Sequence, residues 1–143
     1  MDDQRTTLQQ RPDIETISAR YEQMQAEIRD RLNTELGGLD WVKYDEESRR
    51  GCGFEFPDVR DGESRSLAGW SALGGFPDNR WDQAVTVVRE ITSRHGFGTP
   101  EIIVDRPDDH FMVVPDPYGG TLDFGTAVNT TLLMNTGCHL PPQ

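Results

Sequence analysis

The stretch Glu101–Cys138, EIIVDRPDDHFMVVPDPYGGTLDFGTAVNTTLLMNTGC, decides the fold. Short apolar runs alternate there with turn chemistry. PDD and PDPYGG supply proline to fix φ and glycine to take positive φ, so the runs between them read as antiparallel strands. The expected strands are Glu101–Arg106, His110–Pro115, Thr121–Ala127 and Val128–Cys138, the last with a bend near Asn129. The final strand ends on one of the two cysteines. The other, Cys52, lies in the run GCGFEF (51–56), where alternation puts Cys52, Phe54 and Phe56 on a core face and Gly51, Gly53 and Glu55 on the other.

Working outward, the segment before this block carries a helical period. Asp78 is the expected N-cap, and Trp81, Ala84, Val85, Val88 and Ile91 form one stripe that closes at His95-Gly96. Further back, Ile14, Ile17, Tyr21, Met24, Ile28, Leu32 and Leu36 recur at spacings of three and four. They predict a long amphipathic helix, started by Asp13 and ended by Gly37-Gly38. Between the helices, LDWVKY and GCGFEF predict a hairpin of Leu39–Tyr44 with Gly51–Phe56, turned by DEESRR. Residues 57–77 show neither period and read as a long loop. Trp70, Leu73 and Phe76 in it are candidate contact or ligand-lining residues, either as an apolar lid or as a plug on the core. Residues 1–11 are polar and aperiodic and read as a flexible arm. No βαβ alternation occurs. The expected fold is therefore α+β, an antiparallel sheet of about five strands with two helices on one face, in a single domain over 12–143.

Composition limits the function. A net charge of −11 over 143 residues repels phosphate backbones and anionic membrane surfaces, so no nucleic acid partner is expected, and a monomer is. No run approaches the roughly 20 apolar residues of a spanning helix. Cys52 and Cys138 stand 86 positions apart. Either they pair, which loop-closure entropy values at roughly 4–5 kcal/mol in an oxidising compartment, or they are two buried thiols. The densest polar cluster is Asp105, Asp108, Asp109 and His110. Its carboxylates and imidazole are metal-ligand types, but the alternate oxygen spacing of a calcium loop is missing, and aspartates are ordinary in turns. There is no nucleophile elbow and no phosphate-binding glycine loop. No catalytic residue, metal or cofactor is expected from these patterns.

Several runs are nonetheless distinctive: RPDIETISARYEQMQ (11–25), GCGFEFP (51–57), HGFGTPEIIVDRPDDH (95–110), FGTAVNT (124–130) and TGCHLP (136–141). Together they resemble the LppA-type family of mycobacterial lipoproteins, over about residues 11–141. The resemblance implies an extracytoplasmic domain held at the cell envelope by a lipid on an N-terminal cysteine, with Cys52 and Cys138 as a structural disulfide. Neither a signal peptide nor a lipid-accepting cysteine is present in this sequence. No biochemical activity comes with the resemblance. The expected role is a non-enzymatic binding or interaction module whose partner is an envelope or host component, meeting it at the 57–77 loop and the uncovered sheet face. The alternatives are a carrier of a lipid or small apolar ligand under that loop, and an envelope hydrolase or metal-dependent enzyme.

Overall fold

The computed structural model describes residues 3–143, and among them three helices and eight strands form. The helices are α1 (Asp3–Gln9), α2 (Ile14–Leu36) and α3 (Asp78–Arg94). The strands are β1 (Trp41–Asp45), β2 (Ser48–Gly51), β3 (Glu63–Ser66), β4 (Gly69–Leu73), β5 (Glu101–Arg106), β6 (Asp109–Pro115), β7 (Thr121–Thr126) and β8 (Asn129–Asn135). All pairings are antiparallel, in the order β1-β4-β8-β7-β6-β5, with β3 joining β8 at Ser66↔Asn135 and carrying β2 on its far side. The five-strand, two-helix expectation is thus corrected to eight strands and three helices.

The extra strands come from the supposed loop. β1 and β2 form one arm, 41–51, and β3 and β4 form its partner, 63–73. The register runs from Trp41↔Ala72 to Gly51↔Glu63, with a slip at Lys43/Asp45. DEESRR is therefore not a turn but the continuation of a bent strand. The hairpin tip is 52–62, so GCGFEF is not a strand: Phe56 N donates to Cys52 O at 2.7 Å, and Phe54 is fully exposed while Cys52 and Phe56 are buried. Polar residues such as Glu63, Ser64, Arg65 and Ser66 hide β3 from a hydrophobicity reading. Its strand character comes from pairing on both sides.

α2 begins where Asp13 accepts from Thr16 N at 2.8 Å, and ends at Gly37, whose φ is 105°. α3 starts at its expected cap, one residue earlier than predicted. Pro77 is the N-cap, and Asp78 is freed for another use described below. α2 presents Ile17, Tyr21, Met24, Ile28 and Leu32, and α3 presents Trp81, Ala84, Val87, Val88 and Ile91. Both pack on Met112, Val114, Leu122, Phe124, Leu132 and Met134 from the sheet. α3 buries a wider arc than its main stripe, since Val87 is buried while Val85 is only partly so.

Among the described residues no helix covers the other sheet face. Register places Phe111 and Val113 of β6, Asp123 of β7, Leu133 of β8, Leu73 of β4 and Val42 of β1 there.

A second, smaller core gathers Leu8, Cys52, Phe56, Val59, Cys138 and Leu140. Cys52 and Cys138 are disulfide-bonded, with Cα atoms 5.8 Å apart. Residues 3–9 are thus a helix rather than an arm, because Leu8 has this cluster to bury into. The C-terminal segment straps across: Ile14 N donates to Leu140 O, and Arg11 Nη1 donates to Tyr118 O at 3.0 Å and Cys138 O at 2.8 Å.

Candidate functional site

The acidic turn expected from the sequence is built for structure. His110 Nδ1 lies 2.9 Å from Asp105 Oδ1 and its Nε2 lies 2.7 Å from Asp78 Oδ1, while its ring stacks on Trp81 at 4.9 Å between centroids. Both carboxylates can only accept when ionised, so both ring nitrogens donate and the ring is an imidazolium. Burial opposes that charge, but the hydrogen bonds to Asp78 and Asp105 outweigh it and raise the His110 pKa. Neither nitrogen is left to carry a proton to or from a ligand. Asp109 is taken by Arg106 at 2.8 Å, and Asp108 sits in the left-handed region, φ 62°, with its N–H donating to Asp78. Among the described residues no group of histidine, cysteine or acidic side chains is arranged to hold a metal ion. Asp78, which the sequence suggested only as a cap, is the member of this cluster that sequence distance concealed.

Trp70, Leu73 and Phe76 are not brought together. Trp70 faces the helices, with the Arg29 guanidinium 3.7 Å above its ring, and Phe76 is in the main core. Leu73 projects from the open face, 88% exposed. The three line no common cavity.

A groove forms instead at the disulfide end of the open sheet face. Arg50 opposite Ser64 makes one row of side chains across β2 and β3, and Ser66, Asn135 and Thr121 make the adjacent row across β3, β8 and β7. The hairpin tip lies on one side of these rows and the β6–β7 turn closes the other, leaving a half-enclosed space of about 310 Å³. Phe54 stands at the rim, and the Glu55 carboxylate reaches over to Gly119, where an added Cβ would meet it at 3.3 Å. Ser66 Oγ links the two rows by accepting from Arg50 and donating to Asn135 Oδ1 at 2.7 Å.

The floor is rigid for identifiable reasons. Asp116 Oδ1 accepts from Tyr118 N and Gly120 N, and its Oδ2 accepts from the Tyr21 hydroxyl at 2.8 Å, tying the β6–β7 turn to α2. Burial, and then the neighbouring Asp116 charge, push the Tyr21 pKa far up, so this hydroxyl keeps its proton. The turn then lies so close to β8 that a Cβ on Gly137 would run into Tyr118 O, and one on Gly120 into Asn135 O. Beneath, the disulfide holds the tip to the end of the last strand. His139, two residues from the groove's edge at Gly137, is fully buried, donates from Nδ1 to Pro12 O at 2.8 Å, and has its pKa lowered by burial. It is a neutral ring inside the strap and does not face the groove rows.

Two solved structures share this fold. LppA from Mycobacterium tuberculosis superposes with a TM-score of 0.75 at 15% identity, over 94% of this chain and 82% of that one. A DUF4853 family protein from Actinomyces odontolyticus superposes with a TM-score of 0.70 at 19% identity, over 95% of this chain and 73% of that one. No curated protein is significantly similar to the chain. Residues 1–142 match the family described as LppA, lipoproteins confined to pathogenic Mycobacterium, and the chain belongs to that family.

Proposed function

We propose that this protein is a non-catalytic binding domain of the cell envelope, and that the groove at the disulfide end of the open sheet face is where it binds. Membership of a lipoprotein family supports the envelope location, with attachment through a lipid rather than through this acidic surface. The observation that carries the binding assignment is a contrast in how polar groups are used. The histidine of the acidic turn, His110, is buried and has both nitrogens committed to carboxylates. The groove, by comparison, is solvent-open, held by a disulfide and a central strand, and rimmed by an aromatic side chain that packs on nothing.

Site-specific photocross-linking in the native envelope tests this. A photoreactive residue at position 54 should give discrete adducts, and one at Arg89 on the outer face of α3 should not. Equal labelling from both positions, or turnover of an envelope substrate that vanishes in Asp105→Asn, would overturn it.

A further inference from the structure

Resting on that reading, we infer that the groove takes a neutral saccharide, held by polar side chains along its rows and by stacking on Phe54. Alternation within GCGFEF predicts a core position for Phe54, yet the side chain is completely exposed, at 104%, on a tip whose neighbours Cys52 and Phe56 are buried. A phenyl ring standing alone in water at the rim of a groove gains nothing from the fold. It offers a flat apolar surface to whatever enters.

The lining then sorts the ligand classes. Ser64, Thr121 and Asn135 supply uncharged donors and acceptors from two adjacent strand-to-strand rows. Arg50 and Glu55 add one planar cation and one planar anion on the tip side, so the groove itself is neutral. A phosphate-bearing or polyanionic ligand would meet Glu55 and the field of a chain carrying a charge of −11 with only one cation in the groove. A lipid tail would need an enclosed apolar tube, and this groove is open and mixes the disulfide and glycine backbone with the polar side chains of Arg50, Glu55, Ser64, Thr121 and Asn135. Pyranose rings match this lining on both counts. Their hydroxyls bond bidentately to planar polar side chains, and their C–H faces lie on an aromatic ring. The space, about 310 Å³, is at the small end of ligand sites.

The test is a titration of the isotope-labelled protein, followed by amide NMR, with three neutral probes: β-1,4-linked N-acetylglucosamine tetramer, α-1,4-linked glucose tetramer and α-1,6-linked mannose tetramer. At least one should give saturable shifts confined to Arg50, Ser64, Thr121, Asn135 and Gly137, with a dissociation constant on the order of 1 mM or tighter. Phe54→Ala should weaken that binding about tenfold with no change in Tm, since the ring packs on nothing. Asn135→Asp should weaken it as well, and its folding is checked by the same spectrum. The assignment is overturned if no probe moves these amides, if the shifts fall on the helical face, or if Phe54→Ala binds as the parent does. It is also overturned if a short aromatic peptide produces the confined shifts and the saccharides do not. Cross-links from position 54 combined with silence from every saccharide would leave the binding-domain reading standing and remove the saccharide alone.

Discussion

His110 shows what one residue does when two carboxylates reach it. Its pKa in the fold is raised above the ordinary 6.5 by Asp78 and Asp105 acting against burial. Its stabilising contribution is therefore fully present below about pH 6.5 and is lost as pH rises through the raised folded value. The gap in Tm between the parent and His110→Gln should be widest in mild acid and close as the solution becomes basic. A gap that stays constant with pH would show that the ring is not charged. Asp78 has the opposite sign: its pKa is lowered, first by the His110 hydrogen bond, so its share is present above about pH 3.8 and disappears as pH falls through the depressed value. Glycines make a second residue-scale prediction. Gly137→Ala places a methyl group against Tyr118 O, and overpacking of backbone on backbone should cost about 3 kcal/mol or more. Gly53→Ala meets nothing within 4 Å and should stay within about 0.5 kcal/mol of the parent. Urea denaturation of the pair separates close approach from a general intolerance of alanine.

At the scale of elements, the join between α2 and β3 rests on Arg65. The side chain is 3% exposed, and its guanidinium donates to Glu15 from both terminal nitrogens at 3.1 and 2.6 Å, and to Glu63. These bonds, Glu15 first, hold the Arg65 pKa well up. Arg65→Ala removes several charge-assisted bonds but leaves carboxylates such as Glu15 that are exposed enough to rehydrate. The expected loss is about 2–3 kcal/mol, less than for a fully buried pair. Hydrogen exchange should quicken in β3 and the first turns of α2 while β6 and β7 stay protected. Uniform quickening would mean that Arg65 supports the whole core and not this join. The same element shows why β3 was illegible in the sequence. ESRS carries no apolar alternation, because its inward position is filled by a buried cation that pairs with Glu63 in the same strand and with the distant Glu15 and Glu47. Strands β5, β6 and β7 were legible because each is a short apolar run set off from the next by turn residues, and nothing distant was needed.

For the whole molecule, the disulfide decides how the chain's two ends are held. It sits in the small core with Leu8 of α1 and Leu140 of the C-terminal strap, so its loss affects the N-terminus as well as the hairpin tip. Removing it as Cys52→Ala/Cys138→Ala should cost roughly 4–5 kcal/mol by loop entropy. α1 should lose amide protection before any strand of the main sheet. If α1 remains protected in the double variant, Leu8 and Arg11 hold it without the bond. Location at the envelope belongs to this scale too, since a bond of this kind persists where the surroundings are oxidising.

Sequence alone was enough for the two long helices, the turns that separate β5 from β6 and β6 from β7, the net negative charge, and the family through its distinctive runs. Each of these is local in the chain, or is a sum over it. Only the tertiary structure decided the partner of 41–51, the burial of α1, the Asp78–His110–Asp105 arrangement and the groove. Each of those joins residues that are dozens of positions apart. Hydrophobic period reports which face a residue turns inward when the neighbours are apolar, and it failed at 48–66, where pairing and a buried Arg65 do the work of apolar burial. Phe54 shows the same limit from the other side. Its pattern points inward, but the disulfide fixes the tip so that it points into water, and this is where the binding site is proposed.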